Sequence, residues 1–412
     1  MTSRFRNVIL MAVAVLAIWI RTPQLIAEPR FWAEEGSRYF QYALTNGFWS
    51  TLLFLDPRAG YLDITRHLAS GLASLVPLEY APYITTFIAY FLQLLACYLV
   101  VCGRSKIFDS YTKKCLGCIV ILFSPTVIDE VWLNTINSMT WYGLIGFLIA
   151  VERLSLLSAG KVLGYRVILG IGAVSGPYVC MLAPVFALVA LQDRTRNTVI
   201  NAGIVFGGLV VHSVVLCYFL LSGEINEKRF SGSDVIDTSY AIFWNHLAKP
   251  IIGSDLVSKL AQIPFGLTAF LVLFIIISLV AIRYVYVRCI PFWENNWEVV
   301  FSWVCFSAGT TLTSYGHTPA GRYAVLPGWM ALFLLLNCSR LGRMRLVGLL
   351  SIGLLILALG IGLINYSLGG RTQCDGRNWR AESTLGRDLN EKVVAICPKG
   401  WNIVLPPIQK QN

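Results

Sequence analysis

The sequence predicts an all-α polytopic membrane protein with about eleven transmembrane helices, interfacial helices in the first external loop and a short external C-terminal tail. Hydrophobic residues make up 56% of the 412 residues and charged residues 13%, and the mean hydropathy is +0.65. A soluble globular chain carries roughly twice that charged fraction. The apolar residues also fall into runs of about 15 to 25 residues, which is the length that crosses a bilayer.

The first apolar run, Asn7–Ile20, follows two arginines and lacks a small-residue cleavage pattern at its end. We therefore interpret it as a retained signal anchor with a cytoplasmic N-terminus. Hydropathy places the further spans at about 81–102, 115–128, 139–152, 166–175, 177–192, 198–222, 263–282, 298–314, 323–338 and 346–367. An odd number of spans leaves the C-terminus outside.

The charges support this orientation. Lys and Arg concentrate in the N-terminus and the loops assigned to the cytoplasm, whereas the three short external turns hold one basic residue, Arg322. The net charge of +11 therefore reflects topology, and because no basic stripe is present, nucleic acid is not an expected partner. The four histidines and eleven cysteines do not cluster as zinc ligands. A divalent cation held by carboxylates stays open as a cofactor.

Two predicted spans, 166–175 and 177–192, are short and flank the turn Ser175-Gly176-Pro177. This pattern favours a pair of half-length helices or a re-entrant hairpin, which would line an internal cavity, since irregular backbone at membrane depth needs such cover. The alternative is an ordinary span kinked at its proline beside a miscounted neighbour.

The polar material lies on one side. Removing the spans leaves residues 21–80, 223–262 and 368–412, all outside, and the short cytoplasmic loops contain no Gly-rich phosphate loop. We therefore divide the chain into a transmembrane domain, 1–367, with its catalytic loop at about 21–80, and an external tail, 368–412.

The first external loop carries adjacent acids, Glu34 and Glu35, among aromatic and basic neighbours in a predicted interfacial helix. On a helix the two acids point about 100° apart, and Glu34 can pair with Arg38. The other acid would then face a cleft and act as a general base toward a hydroxyl. A solvated surface pair is the alternative. Arg58 and Arg66, farther along this loop, either contact a phosphate or anchor the chain at the interface.

The turn after the third span brings Asp129, Glu130 and Asn134 to the same surface, with Trp141 or Trp132 placed to stack on a sugar ring. A polar turn with interfacial tryptophans is the alternative.

Arg322, at the outer end of the tenth span, is a candidate partner for an anionic head group, with simple interfacial anchoring as the alternative. In the tail, Cys374 and Cys397 share an external segment, and an oxidising compartment would favour their pairing.

The acidic segment Trp32-Ala33-Glu34-Glu35-Gly36 resembles the Trp-Ala-Glu-Asp-Gly motif in the first external loop of bacterial members of the GT-C superfamily, with Glu35 where Asp is usual. These are polytopic glycosyltransferases that use polyprenyl-phosphate-linked sugars. Segments 59–62, 130–134, 175–177 and 321–323 also resemble recurring elements of these proteins, which adds Tyr61 and Tyr323 to the expected substrate site. The size of the chain, its predicted re-entrant hairpin and its external C-terminal tail are most similar to those of the serotype-converting O-antigen glucosyltransferases of enteric bacteria and their phages.

The resemblance implies transfer of a sugar, with glucose as the first expectation, from undecaprenyl-phosphate-sugar to a hydroxyl of a lipid-linked cell-surface glycan such as O-antigen. The reaction would occur at the periplasmic face of the bacterial inner membrane, with a donor synthase and a flippase as functional partners. Glu34 or Glu35 would be the base, and Arg58, Arg66 and Arg322 would stabilise the lipid phosphate. The alternatives are an O-antigen polymerase or ligase and a lipid-linked sugar transporter.

Overall fold

The computed structural model describes residues 3–224, 239, 242–261, 272, 290–314, 321–338, 345–366, 378–384 and 392–406. Within them the fold is all-α apart from one small β-hairpin in the tail. Of the predicted span 263–282, all but Val272 lies outside these residues, as does Cys374.

Helices form most of the described chain. The α-helices are α1 Ser3–Arg21, α2 Pro23–Ala27, α3 Gln41–Leu52, α4 Ile64–Ser74, α5 Ala81–Cys102, α6 Tyr111–Phe123, α7 Ser138–Ala150, α8 Ala159–Ala173, α9 Ala183–Asp193, α10 Arg196–Leu221, α11 Lys249–Ala261, α12 Ile290–Ser314, α13 Val325–Cys338, α14 Arg345–Ile364 and α15 Trp379–Thr384. Single turns of 3₁₀-helix lie at Leu78–Tyr80, Asp129–Val131, Leu154–Leu156, Cys180–Leu182 and Gly321–Ala324, and π-helical turns at Glu35–Phe40 and Phe243–Ala248.

Three helical stretches are long and apolar enough to cross a membrane, namely Leu78–Cys102, Arg196–Leu221 and Val347–Ile364. In the described part of the chain this is fewer than the eleven predicted spans. Every other predicted span described there overlaps an α-helix, but several of these helices are short, with 13 residues in α7 and 11 in α9. At 1.5 Å per residue they extend about 20 and 16 Å, less than the roughly 30 Å hydrocarbon core.

Helix α7 lies at the centre of the bundle, and all of its residues are buried. Its sequence is apolar on every side, which is typical of a helix surrounded by protein. It packs against α5, α8 and α13. Trp141 of α7 contacts Trp132 and Trp329 with ring centroids 6.3 and 5.1 Å apart.

The chain between α8 and α9 is irregular, as the turn at 175–177 predicts. Gly176 has φ +92°, and a Cβ there would approach Met139 Cβ at 2.7 Å. Its backbone N–H donates to the Leu62 carbonyl at 2.9 Å, and Asp63 bridges to Ser175. The predicted pair of short helices is therefore confirmed, although α8 begins at Ala159 rather than at 166. The break supports the end of the first external loop.

The tail ends in an antiparallel hairpin of β1 Lys392–Ile396 and β2 Trp401–Leu405, with Ile396 opposite Trp401. The hairpin packs on the first external loop through a small apolar core of Phe31, Phe40, Trp379, Val394, Ile396, Ile403 and Leu405. The Cys397 N–H donates to the Phe31 carbonyl at 3.1 Å, and the Ala33 N–H donates to the Cys397 carbonyl. The tail thus fixes the backbone immediately before Glu34.

Cys397 is disulfide-bonded, and the other cysteines among the described residues are free. The predicted Cys374–Cys397 pairing stays a prediction, because Cys374 lies outside the described residues.

Candidate functional site

A cavity of about 920 Å³ opens where the first external loop meets the α8–α9 linker, α10, α12, the 3₁₀ turn at Gly321 and the tail hairpin. The prediction that the linker lines a cavity is confirmed, since Pro177, Cys180 and Met181 contribute to its wall. Its volume is within the range of small-molecule pockets, about 300 to 1,000 Å³.

Six of the sequence-predicted site residues line this cavity: Glu34, Arg58, Tyr61, Arg66, Arg322 and Tyr323. They come from two segments more than 250 positions apart in the chain, and the fold brings them to one space. The cavity wall also contains Arg38 and Asp56. Among the described lining residues, four guanidinium groups and two carboxylates therefore share one space.

Glu34 and Glu35 occupy different environments. Glu34 lines the cavity, whereas Glu35 is 1% exposed and is not among the residues that line it. Glu35 Oε1 accepts from the Thr135 N–H at 2.7 Å and from the Thr135 hydroxyl at 2.5 Å, and Oε2 accepts from the Trp32 N–H at 3.1 Å. Of the two acids, Glu34 is therefore the one that lines the cavity.

The local backbone explains why neighbouring acids separate. Ala33 has φ +47°, a conformation that few non-glycine residues adopt, and a π-helical turn starts at Glu35. Gly36 approaches the tail so closely that a Cβ would meet Ile396 Cδ1 at 2.8 Å and Phe31 Cβ at 2.7 Å. Even a methyl side chain at position 36 has no room, so glycine allows this turn to pack under the hairpin.

The cavity wall is held by a buried chain of charged and hydroxyl groups. Arg66 pairs with Asp63 at 2.8 Å and donates to the Tyr39 hydroxyl at 2.7 Å. Tyr39 in turn donates to Asp56 at 2.8 Å, and Asp56 pairs with Arg38. The predicted pairing of Glu34 with Arg38 is therefore wrong, because Arg38 is engaged by Asp56, whose carboxylate is buried and reaches it from across the loop.

Burial and neighbouring charges shift the pKa values of three groups in this network. Burial raises the pKa of Asp63, and Arg66 beside it counteracts that effect. Burial alone would lower the pKa of Arg66, but Tyr39 and Asp63 raise it well above its ordinary value, so Arg66 stays charged. Burial also raises the pKa of the Tyr39 hydroxyl, which therefore keeps its proton and can donate to Asp56.

Arg322 is held by Glu130 and Tyr323. It donates to Glu130 Oε1 at 2.8 Å and to the Tyr323 hydroxyl at 3.4 Å, and its guanidinium lies 5.2 Å from the Tyr323 ring centroid. Burial would lower the Arg322 pKa, but Tyr323 and Glu130 raise it, so this guanidinium is also charged. Glu130 thus acts on the site through Arg322.

The turn after the third predicted span does not form the expected sugar site. Asp129, Glu130, Asn134 and Trp141 are absent from the described wall of the cavity. Trp141 is fully buried and donates to the Val131 carbonyl at 2.9 Å, so its ring packs in the core and cannot stack on a sugar. Asn134, 1% exposed, donates to the Glu130 and Trp132 carbonyls. The assignment to substrate binding is corrected for Asn134 and Trp141, because their polar groups bond within the turn. For Asp129 and Glu130 it stays a prediction.

Two parts of the cavity were not predicted. One is the pair Arg38 and Asp56. The Asp56-Pro57 step is typical of a loop and was visible in the sequence. The other is the tip of the tail hairpin, Gly400, Trp401 and Asn402, for which no local signal pointed to a site beside Glu34, which is 366 positions before Gly400 in the chain.

The helical part of the wall mixes leucines with polar residues, namely His212 and Ser213 of α10 and Thr313 and Ser314 of α12. Leu209 and Leu216 of α10 and Leu312 of α12 line it, and Leu312 is 72% exposed. The cavity therefore joins a cationic part beside a carboxylate to an apolar part between helices. Such a space can hold an amphiphile with an anionic head group, and Glu34 can accept a proton there.

Among the described residues, no group of three or more His, Cys, Asp or Glu side chains could hold a metal ion. A divalent cation stays a prediction. No protein-family model matches the chain, and none of the curated proteins matches it.

Proposed function

We propose that this chain is a GT-C-type membrane glycosyltransferase. It transfers a sugar, with glucose the first candidate, from undecaprenyl-phosphate-sugar to a hydroxyl of a cell-surface glycan such as O-antigen. The observation that supports this best is the composition of one cavity, where Glu34 and four guanidinium groups share a space with apolar side chains of α10 and α12.

Each part of the cavity has a role in the proposed reaction. Glu34 accepts the proton of the acceptor hydroxyl as its oxygen attacks the anomeric carbon of the donor sugar. The bond from that carbon to the phosphate oxygen breaks, and polyprenyl phosphate leaves with its electron pair. Arg58, Arg66 and Arg322 stabilise the charge that develops on the phosphate. The apolar wall contacts the first prenyl units of the donor.

The proposed setting is a bacterial inner membrane, crossed eleven times, with the N-terminus in the cytoplasm and the C-terminus in the periplasm. Three long apolar helices support membrane insertion, and short helices such as α7 complete the bundle inside its protein surroundings. The disulfide at Cys397 supports an oxidising compartment for the tail. The backbone bridge between Trp32 and Cys397 supports a placement of the first loop and the tail on the same side of the membrane.

The test is expression of the chain with a polyprenyl-phosphate-glucose synthase and a flippase in bacteria with defined lipopolysaccharides, followed by mass spectrometry of the O-antigen repeat. We expect a gain of one hexose per repeat, and none with Glu34→Gln at equal membrane abundance. An unchanged repeat across the panel, with donor and protein present, would contradict the proposal. A change in repeat number without added hexose would favour a polymerase, and movement of donor across the membrane without transfer would favour a transporter.

A further inference from the structure

The turn at 129–137 holds two of the arginines that line the cavity. Glu130 Oε1 accepts from Arg322 Nη1 at 2.8 Å, and the Ile136 carbonyl accepts from Arg66 Nη2 at 3.0 Å. Both guanidinium groups contribute to the cavity wall, although they belong to segments far apart in the chain. A single short turn therefore fixes two cationic groups of the site.

The same turn holds the segment that carries Glu34. Thr135 donates twice to Glu35 Oε1, from its backbone N–H at 2.7 Å and from its hydroxyl at 2.5 Å. The other oxygen of that carboxylate accepts from the Trp32 N–H at 3.1 Å, and the Glu35 N–H donates to the Trp32 carbonyl at 2.9 Å. Glu34 lies between these two bonded residues. The backbone before and after Glu34 is therefore tied to Thr135 through one buried carboxylate.

Hydrogen bonds inside the turn connect these attachment points. The side-chain amides of Asn134 and Asn137 donate to the Glu130 carbonyl at 2.7 and 2.6 Å. The Asn137 N–H donates to Asn134 Oδ1 at 3.1 Å. Both asparagines and Thr135 are at most 1% exposed. These buried bonds fix Thr135 relative to Glu130, so the turn is one support for the acid and for the arginines.

We propose that Thr135 is a positioning residue for the transfer reaction and that it acts on Glu34 through the Glu35 carboxylate. This inference rests on the proposed glycosyltransferase function, because it concerns the group that accepts the proton in that reaction. A general base must lie within hydrogen-bond reach of its proton, and a displacement of about 1 Å can lower a rate about 100-fold. The turn sets the distance between this base and the arginines proposed to bind the phosphate.

The test measures transfer by the full-length protein in lipid nanodiscs. The donor is undecaprenyl-phosphate-glucose, and the acceptor is the lipopolysaccharide that gains a hexose in the expression experiment. Thr135→Val keeps the shape of the side chain but removes its hydroxyl donor. We expect this variant to lower kcat about 10- to 100-fold, with the donor KM within about twofold of the wild-type value. Thr135→Ser restores the hydroxyl and should recover most of the rate.

Thr140→Val is the matched control. Thr140 is as buried as Thr135, but its hydroxyl has no hydrogen-bond partner among the described residues, so this variant should keep its kcat. A double variant adds a second readout. If Thr135 acts through Glu35, the combination of Thr135→Val with Glu35→Gln should be within about twofold of the slower single variant, because both remove the same interaction.

The outcomes separate this proposal from the proposed function. The positioning role is wrong if Thr135→Val lowers thermal stability but leaves kcat unchanged, if it raises the donor KM instead, if Thr135→Ser does not recover the rate, or if the double variant is additive. Transfer by the wild-type protein would still support the enzyme in each case. Absence of transfer by the wild-type protein contradicts the proposed function, and the positioning role with it. Should Thr135→Val fail to fold, Thr135→Ala replaces it in every comparison.

Discussion

The first external loop and the turn at 129–137 have similar compositions but opposite roles. Both contain adjacent acids, an amide or hydroxyl and tryptophan. In the loop, Glu34 lines the cavity, and in the turn Asn134 and Thr135 are buried and satisfied by protein. The polar residues thus divide into a layer that lines the cavity and a supporting layer that holds it, and Glu35 belongs to the second.

The difference teaches that burial and partners, not residue type, decide which acid is available for chemistry. A carboxylate that already accepts three hydrogen bonds, as Glu35 does, has little capacity left for a substrate proton. The free-energy cost of burying the Glu35 carboxylate is offset by these hydrogen bonds. Two of them join segments 100 positions apart in the chain. Substitutions in the cavity-lining layer and in the supporting layer test this difference.

The largest expected effect concerns the two neighbouring glutamates. Glu34→Gln should lower the transfer rate about 10²- to 10⁴-fold, the usual contribution of a general base, with little change in stability. Glu35→Gln should destabilise the protein by about 1.5–3 kcal/mol, since it weakens hydrogen bonds to a buried charge. Transfer rates and thermal unfolding in nanodiscs measure the two effects. Full activity in Glu34→Gln, or a stability loss confined to that variant, would reverse the roles.

Arg66 belongs to both layers, because it lines the cavity yet is 2% exposed. Arg66→Met should destabilise the chain by about 3–5 kcal/mol, since it leaves buried Asp63 without its counter-charge. The exposed Arg58 is the control, and Arg58→Met should change stability by no more than about 0.5 kcal/mol. Adding Asp63→Asn to Arg66→Met should recover part of the loss in thermal unfolding. Equal stability of the two arginine variants would remove Arg66 from the supporting layer.

Much of the fold follows from local pattern. Apolar runs predicted the helices, and the short pair around Gly176 was visible from its length and its Gly-Pro turn. The acidic loop, Arg58, Arg66 and Arg322 were also predicted, since charges at the ends of apolar segments are conspicuous. Helix length was predicted less well, because hydropathy alone does not distinguish a membrane span from a short helix enclosed by protein, as α7 shows.

The rest depends on contacts that no local pattern reveals. The choice between Glu34 and Glu35 requires the unusual backbone at Ala33 and the donors of Thr135. The burial of Trp141 depends on Trp329 in a distant helix. Trp401 enters the cavity only because the tail hairpin packs on the first loop. Each is a tertiary interaction between segments far apart in sequence.

His67 provides a pH test of the supporting layer. Burial lowers the pKa of His67 to about 4, with Arg66 as a second cause, while its ordinary value is 6.5. Since protonation favours the unfolded chain, stability is full above pH 6.5 and should fall by on the order of 3 kcal/mol as pH drops toward 4. Thermal unfolding across this range, compared with His67→Gln, isolates the effect. A slope identical in both proteins would show that His67 is already accessible to protons.

The smallest effect expected is at Gly36, where the supporting layer touches the tail. An added Cβ would lie 2.7 Å from Phe31 Cβ and 2.8 Å from Ile396 Cδ1, so Gly36→Ala should cost about 1–3 kcal/mol. Ile396→Val in the same chain removes the Cδ1 atom that the new Cβ would meet, and it should recover part of the lost stability. Gly203→Ala in α10, where no atom lies within 4 Å of the new Cβ, should be neutral or slightly stabilising. If Gly36→Ala is equally neutral, the hairpin does not press on this turn, and the tail would then fix Glu34 only through the backbone pairing at Cys397.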